Sequence, residues 1–478
     1  MSAARAGLRA LTGTGMQMAI QVISLVVLAR LLAPADFGVY AMAMTFIGFT
    51  ALFRDLGLSA AAVQAKELST QARSNLWWIN AGVGAALTVA ALLAAPAIAG
   101  FFREPAVALV VMLMAPTLFL AGAAAQYTAS LMRSLRFGTL AVIDVSGALL
   151  GLMVAIAVAV NGGGVWALVM PQLVAGMVSL VASLAVCRWL PGLPRRGHGT
   201  RALATFGGAL FVTQILTYVH RNADSLLMGR LHGAVWTGMF NRAQQLTRMP
   251  VGMLATPFSR VALATMAPAQ DDNDALRRLA LKGQLMLALP ILLTGAGLIA
   301  AAAPLVELVL GPGWDRAVPF VQLIAASETL ALMASVGGWI LSAKGLGRML
   351  IRLSVLSTMV KISLIALGAL WGPYGIVAGA VAAQLILWPA SLLLAGRFSG
   401  VNTRKILANS YRLVAMAAVT GAVGFLATQL SLGQGIPVVQ VAAAAVAMAL
   451  TLGAMSLVVP PVRRDIGTFL VTARSGLR

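Results

Sequence analysis

The sequence predicts an all-α integral membrane fold. It comprises about fourteen transmembrane helices, arranged as two parallel six-helix repeats forming two lobes, plus two extra C-terminal helices. Three observations carry that expectation. The 478-residue chain is 60% hydrophobic and only 10% charged, whereas a soluble domain carries about 25% charged residues. Apolar runs of about 20 residues recur from end to end, each able to cross a hydrocarbon core about 30 Å thick. Short phrases of the first half also return in the second half at nearly constant spacing.

Taken in order, the apolar runs lie at 11–32, 37–57, 76–99, 106–128, 138–160, 165–187, 204–229, 234–257, 279–302, 317–341, 351–371, 374–396, 409–430 and 436–460. The first follows a basic start, "MSAARAGLRA", but outlasts a signal-peptide core and lacks a cleavage site before "LLAPAD". It is therefore expected to stay as an uncleaved first helix. The longest polar connections fall near 54–75, 188–203 and 258–278. In the last, Asp271, Asp272 and Asp274 predict a solvated turn and a helix start. The repeats set three divisions: an N-terminal lobe at 1–190, a C-terminal lobe at 200–400, and two further helices with a tail at 405–478.

The formal charge of +21 follows the loops. One alternating set holds Arg5, Arg9, Lys66, Arg73, Arg133, Arg136, Arg195, Arg277, Lys344, Arg404, Arg463 and more; the other holds only Arg30, Arg103, Arg230 and Arg316. The positive-inside rule then puts both termini in the cytoplasm. No basic run is interleaved with exposed aromatics, so nucleic acid is excluded as a partner. Cys187, the sole cysteine, leaves no internal disulfide and no thiolate metal site. The short outer loops, such as "NGGG" at 161–164, leave no room for a catalytic domain.

Arg30, Leu31, Gly38 and Tyr40 match Arg230, Leu231, Gly238 and Phe240 at an offset of 200 residues. Arg133 and Leu135 match Lys344 and Leu346 at an offset of 211, and Gly164 matches Gly375 at that same offset. Matches in one order suggest a duplicated unit of six helices. Since six is even, both copies enter the membrane from the same side, a plan that places substrate sites near mid-bilayer.

Ionisable groups inside a bilayer cost about 2.5–3.5 kcal/mol each on insertion scales, so they face protein or a wet cavity. In the seventh run Gln214, Thr217, Arg221 and Asp224 share one helical face, with Asn222 beside them. In the first run Thr14, Gln17, Gln21 and Ser24 stand at the equivalent positions 200 residues earlier. Two such stripes predict the lining of a polar path; Arg242, Glu328 and Lys361 are further deep charges, as cavity lining or as structural partners, and Arg54 stands at the inner end of the second run, as entrance or interface anchor. Arg221 and Asp224 can equally neutralise one another at i, i+3. Asp144, Arg248 and Arg412 are also charged within the runs, Arg412 nearer an end. Cations outnumber acids among these groups, which favours a polar anion such as a phosphate. No phosphate-binding glycine loop and no cluster with metal-ligand spacing occurs, so neither cofactor nor metal is expected.

Four phrases, "LARLLAPADFGVYAMAMTF" at 28–46, "FRDLGLSAAAVQ" at 53–64, "HRNADSLLMGRLHG" at 220–233 and "PLVELVLGPGWDRAV" at 304–318, resemble the Wzx-type polysaccharide flippases. These belong to the multidrug/oligosaccharidyl-lipid/polysaccharide exporter superfamily. The resemblance runs from about residue 10 to about 400. It implies two six-helix lobes around a cationic cavity in a bacterial inner membrane. It also implies transfer of an undecaprenyl-diphosphate-linked oligosaccharide from the cytoplasmic to the periplasmic leaflet, without enzymatic activity. A polysaccharide polymerase and export machinery would be its partners, besides membrane lipids. Arg221, Asn222, Asp224, Gly229, Arg230, Gly238 and Arg242 match the family's pattern here, and Asp224 is the candidate for ion coupling. His220 is not expected in that pattern.

Three alternatives stay open. A cation-coupled multidrug antiporter would share the fold but need an acidic site, against the excess of deep Arg and Lys. A membrane polysaccharide polymerase would need a large outer loop or an acid-rich segment. A structural scaffold would leave the repeated polar stripes idle.

Overall fold

The computed structural model describes residues 3–55, 69–194, 200–431 and 435–476, with backbone alone for 3–11, 54–55, 200–213, 256–260 and 473–476. The described residues form α1 (Ala3–Leu31), α2 (Pro34–Asp55), α3 (Thr70–Phe102), α4 (Ala106–Met114), α5 (Pro116–Arg133), α6 (Phe137–Val160), α7 (Trp166–Cys187) and α8 (Thr200–Met266). There follow α9 (Asn273–Ala300), α10 (Ala302–Val309), α11 (Val318–Ala343), α12 (Gly347–Gly368), α13 (Gly372–Ser399), α14 (Arg404–Leu430), α15 (Pro437–Val458) and α16 (Pro460–Gly476). With no water in hydrocarbon, helices satisfy every backbone group internally, which is why so apolar a chain takes this form. It is a multi-pass membrane protein.

Eleven segments among the described residues are long and apolar enough to span. One of them, Gly347–Ser399, runs through α12 and α13 and contains two of the expected runs. Between these helices the backbone turns at Gly372, whose φ is 83°. The expected runs at 204–229 and 234–257 both lie in α8, which carries Arg221, Asp224, Arg230, Arg242 and Arg248. Its helix breaks at Gly233, with φ 80° and ψ −173°, a conformation that only glycine adopts without strain. It then continues to Met266, so part of the connection expected at 258–278 is helical.

The helix start read from the three aspartates is present. Asp272 caps α9, its carboxylate accepting from the amides of Asp274 and Ala275 at 2.9 Å each. The expected run at 106–128 is divided at Ala115–Pro116, because a proline cannot donate the amide that the preceding turn requires.

The chain divides into two compact units, 1–238 and 239–478. The repeats expected from the sequence would put a boundary near 190–200; by packing, the stretch 200–238 goes with the first unit. That unit's core gathers Met42, Phe102, Val107, Val110, Met114 and Leu118 from α2 to α5. The second unit's core gathers Leu285, Leu289, Met333, Trp339, Trp388 and Leu413 from α9, α11, α13 and α14.

Candidate functional site

The polar stripe of the seventh run is set against α2 by one tyrosine. Tyr218 of α8 donates its hydroxyl to the carbonyl of Thr45 at 2.8 Å. Its ring lies 5.9 Å from that of Phe49, tilted by 53°. Gly48 makes room: a Cβ there would stand 2.6 Å from the Tyr218 hydroxyl. One turn on, Asn222 donates to the Tyr218 carbonyl at 2.9 Å, so its amide serves its own helix.

With Tyr218 docked, Gln214, Thr217 and Arg221 line a cavity of about 240 Å³ together with Leu52 of α2. All three polar side chains are exposed. A planar guanidinium beside an amide and a hydroxyl can hold a phosphate oxygen pair and sugar hydroxyls at once. Asp224 does not join them. It is buried at 5% exposure with its neighbours Ala223 and Ser225, above Gly229, which packs on Phe102 and Met42. The four-residue stripe therefore divides into an open cation-bearing part and a buried acid one turn on.

The opposite face of α2 has another character. Phe46, Ile47 and Thr50 join Ala90, Ala94 and Phe101 of α3 along a groove of about 340 Å³. One helix thus separates a polar cavity from an apolar groove.

The other sequence-derived candidates are distributed through both units. Gln17 of α1 is hydrogen-bonded to Asp144 of α6, which ties two helices together. Gln21 is exposed on α1. Arg54 lies outside the described side chains. In the second unit Arg242 is buried, with a 3.3 Å hydrogen bond to Asn241. Lys361 of α12 is equally buried. Glu328 of α11 accepts from Nε of Arg248 at 2.6 Å, the pair being roughly one-third exposed. Among the described residues no group of three His, Cys, Asp or Glu is placed to hold a metal ion.

Reading the sequence alone missed Tyr218 and Leu52. Tyr218 stands four residues after Gln214 and four before Asn222, which is the available signal, but its docking depends on Gly48 in another helix.

Residues 27–319 match the family model described as polysaccharide biosynthesis protein. The chain is 28% identical over 303 residues to the teichuronic acid biosynthesis protein TuaB of Bacillus subtilis (strain 168), covering 62% of this chain and 62% of TuaB, less than two thirds of that relative's length. It is 25% identical over 402 residues to the lipopolysaccharide biosynthesis protein WzxC of Escherichia coli (strain K12), covering 82% of this chain and 78% of that one. Among solved structures, that of the lipid II flippase MurJ in an inward closed conformation superposes with a TM-score of 0.73. It covers 92% of this chain and 97% of its own at 13% identity, a likeness of fold.

Proposed function

Because this chain belongs to the polysaccharide biosynthesis protein family, we propose that it is a flippase for an undecaprenyl-diphosphate-linked oligosaccharide. It carries the glycan from the cytoplasmic to the periplasmic leaflet of a bacterial inner membrane by alternating access, for polysaccharide or lipopolysaccharide export. The observation that carries this reading is Arg221: an exposed guanidinium in a cavity whose other polar lining is Gln214 and Thr217. Arginine matches a diphosphate in charge and geometry, while the neutral pair suits sugar hydroxyls.

The polyprenyl chain needs no polar path. It stays in lipid, and the groove on the far face of α2 offers it an apolar wall. Arg242, Lys361 and the Arg248–Glu328 pair of the second unit would meet the head group later in the cycle. Asp224 is the residue proposed to couple movement to an ion, as a carboxylate buried within an expected span beside the cavity. A polymerase and export machinery would take up the product.

A drug antiporter of the same fold calls for an acidic opening, and the charged side chain in this cavity is a cation. The test is glycan export by cells carrying Arg221→Ala or Arg242→Ala. Loss of a charge-assisted hydrogen bond costs about 1.5–3 kcal/mol, so export should fall about 10- to 100-fold while drug resistance is unchanged. Undiminished export with normal expression would refute the assignment.

A further inference from the structure

The chain's last helix is not a span and not a loose tail. α15 ends in Leu457 and Val458, which are 84% and 79% exposed, as expected of lipid-facing residues at the end of a span. One residue later α16 begins at Pro460, so chain continuity starts it at the membrane surface.

Its two sides differ. Val462 and Asp465 are buried, and Ile466 and Phe469 pack on the core of the second unit. Asp465 is clamped by Arg412 of α14, whose Nη2 lies 2.7 and 2.9 Å from its two carboxylate oxygens. The same nitrogen donates to Asn409 at 2.6 Å, Asn409 donates to Gln284 of α9 at 2.9 Å, and Gln284 donates to Ser410 at 2.6 Å. A continuous chain of polar contacts thus joins α16 to the core of its unit.

The other side carries Arg463 and Arg464, both exposed, with Leu470 and Val471 at 51% and 69% exposure. Each arginine precedes an exposed aliphatic residue by seven positions, so two parallel rows of cation and hydrocarbon run along the free face. The one acid on this helix, Asp465, is turned away and paired.

We propose that α16 is an interfacial helix that binds acidic phospholipid. Arg463 and Arg464 would contact the head groups, Leu470 and Val471 would enter the acyl boundary, and Arg412–Asp465 would hold the helix in register. Charge complementarity selects the occupant: cations beside aliphatic groups, at the end of a membrane span, face an anionic surface. Each arginine near such a surface is worth about fivefold in affinity, so the pair contributes about 30-fold.

The probe position is Gly467, which is exposed and lies on the free face with nothing within 4 Å of its added Cβ. The full chain carrying Cys187→Ser and Gly467→Cys is labelled with an environment-sensitive fluorophore. It is placed in lipid discs of phosphatidylcholine with or without phosphatidylglycerol. Phosphatidylglycerol should shield the probe from an aqueous quencher, and Arg463→Gln with Arg464→Gln should lower the shielded-to-accessible ratio about 30-fold. Thermal unfolding in detergent should be the same with and without the two arginine substitutions, which separates lipid binding from folding. A probe equally accessible in both discs overturns the proposal. So does one buried only in native membranes, which would mark a protein partner instead.

Discussion

Gly238 lies directly on Gly38. A Cβ on Gly238 would overlap the carbonyl of Pro34 and stand 3.0 Å from the amide nitrogen of Gly38, while a Cβ on Gly38 would overlap the carbonyl of Ala234. The four positions form two pairs 200 residues apart, and the pairs exchange partners: 34 with 238, and 38 with 234. Gly38→Val should force the two backbones apart, costing about 1–3 kcal/mol. Thermal unfolding in detergent measures it; an unchanged midpoint would mean that the contact is absent.

Arg248 and Glu328 meet at 2.6 Å in the second unit, each about one-third exposed. Exposed pairs are worth about 1 kcal/mol or less, and breaking a fully buried one costs about 3–5 kcal/mol. This pair should fall between. A double-mutant cycle of Arg248→Ala and Glu328→Ala, read by unfolding, should give a coupling energy well above zero. Additive effects would show that the two side chains do not act on each other.

The spans were legible because a run of about 20 apolar residues has few alternatives in a bilayer. Legibility failed where charge interrupts the run. α8 carries four charged residues inside its expected spans and Arg230 between them, and its continuation to Met266 looked like a polar connection. α16 was read as tail because its apolar residues are sparse; only the spacing of Val462, Ile466 and Phe469 marks a packed face. At the site, polarity put Gln214, Thr217 and Arg221 on one face, and the three side chains line one cavity. It did not separate Asp224 from them, because burial depends on what stands opposite. Gln17 was legible as a polar group within a span, but its partner Asp144 lies far away in the chain.

Asp272 makes a pH-dependent contribution to the start of α9. Backbone donation from Ala275 leads in holding its carboxyl below the ordinary 3.8, with Asp274, Arg278 and Lys344 adding to it. A carboxyl whose folded value is depressed stabilises above its unfolded value and loses that effect as pH falls through the folded one. The cap should therefore be intact at neutral pH and fail only below the ordinary carboxylate range. In hydrogen exchange, Asp272→Ala should speed exchange of the Asp274 and Ala275 amides at neutral pH. Equal exchange in variant and parent would remove the cap from the account.

Tyr218 separates positioning from contact with substrate. Its hydroxyl bond to Thr45, at 2.8 Å, fixes the face of α8 that carries Arg221, yet the proposed head-group contact belongs to Arg221. Removing the hydroxyl in Tyr218→Phe keeps the ring against Phe49 and should cost about 0.6–1.5 kcal/mol of stability. Export should fall, but less than in Arg221→Ala, because the guanidinium stays and only its placement loosens. In Tyr218→Phe combined with Arg221→Ala, export should equal that of Arg221→Ala alone, since there is no longer a cation to position. A further drop in the double variant would mean that Tyr218 acts on export by another route.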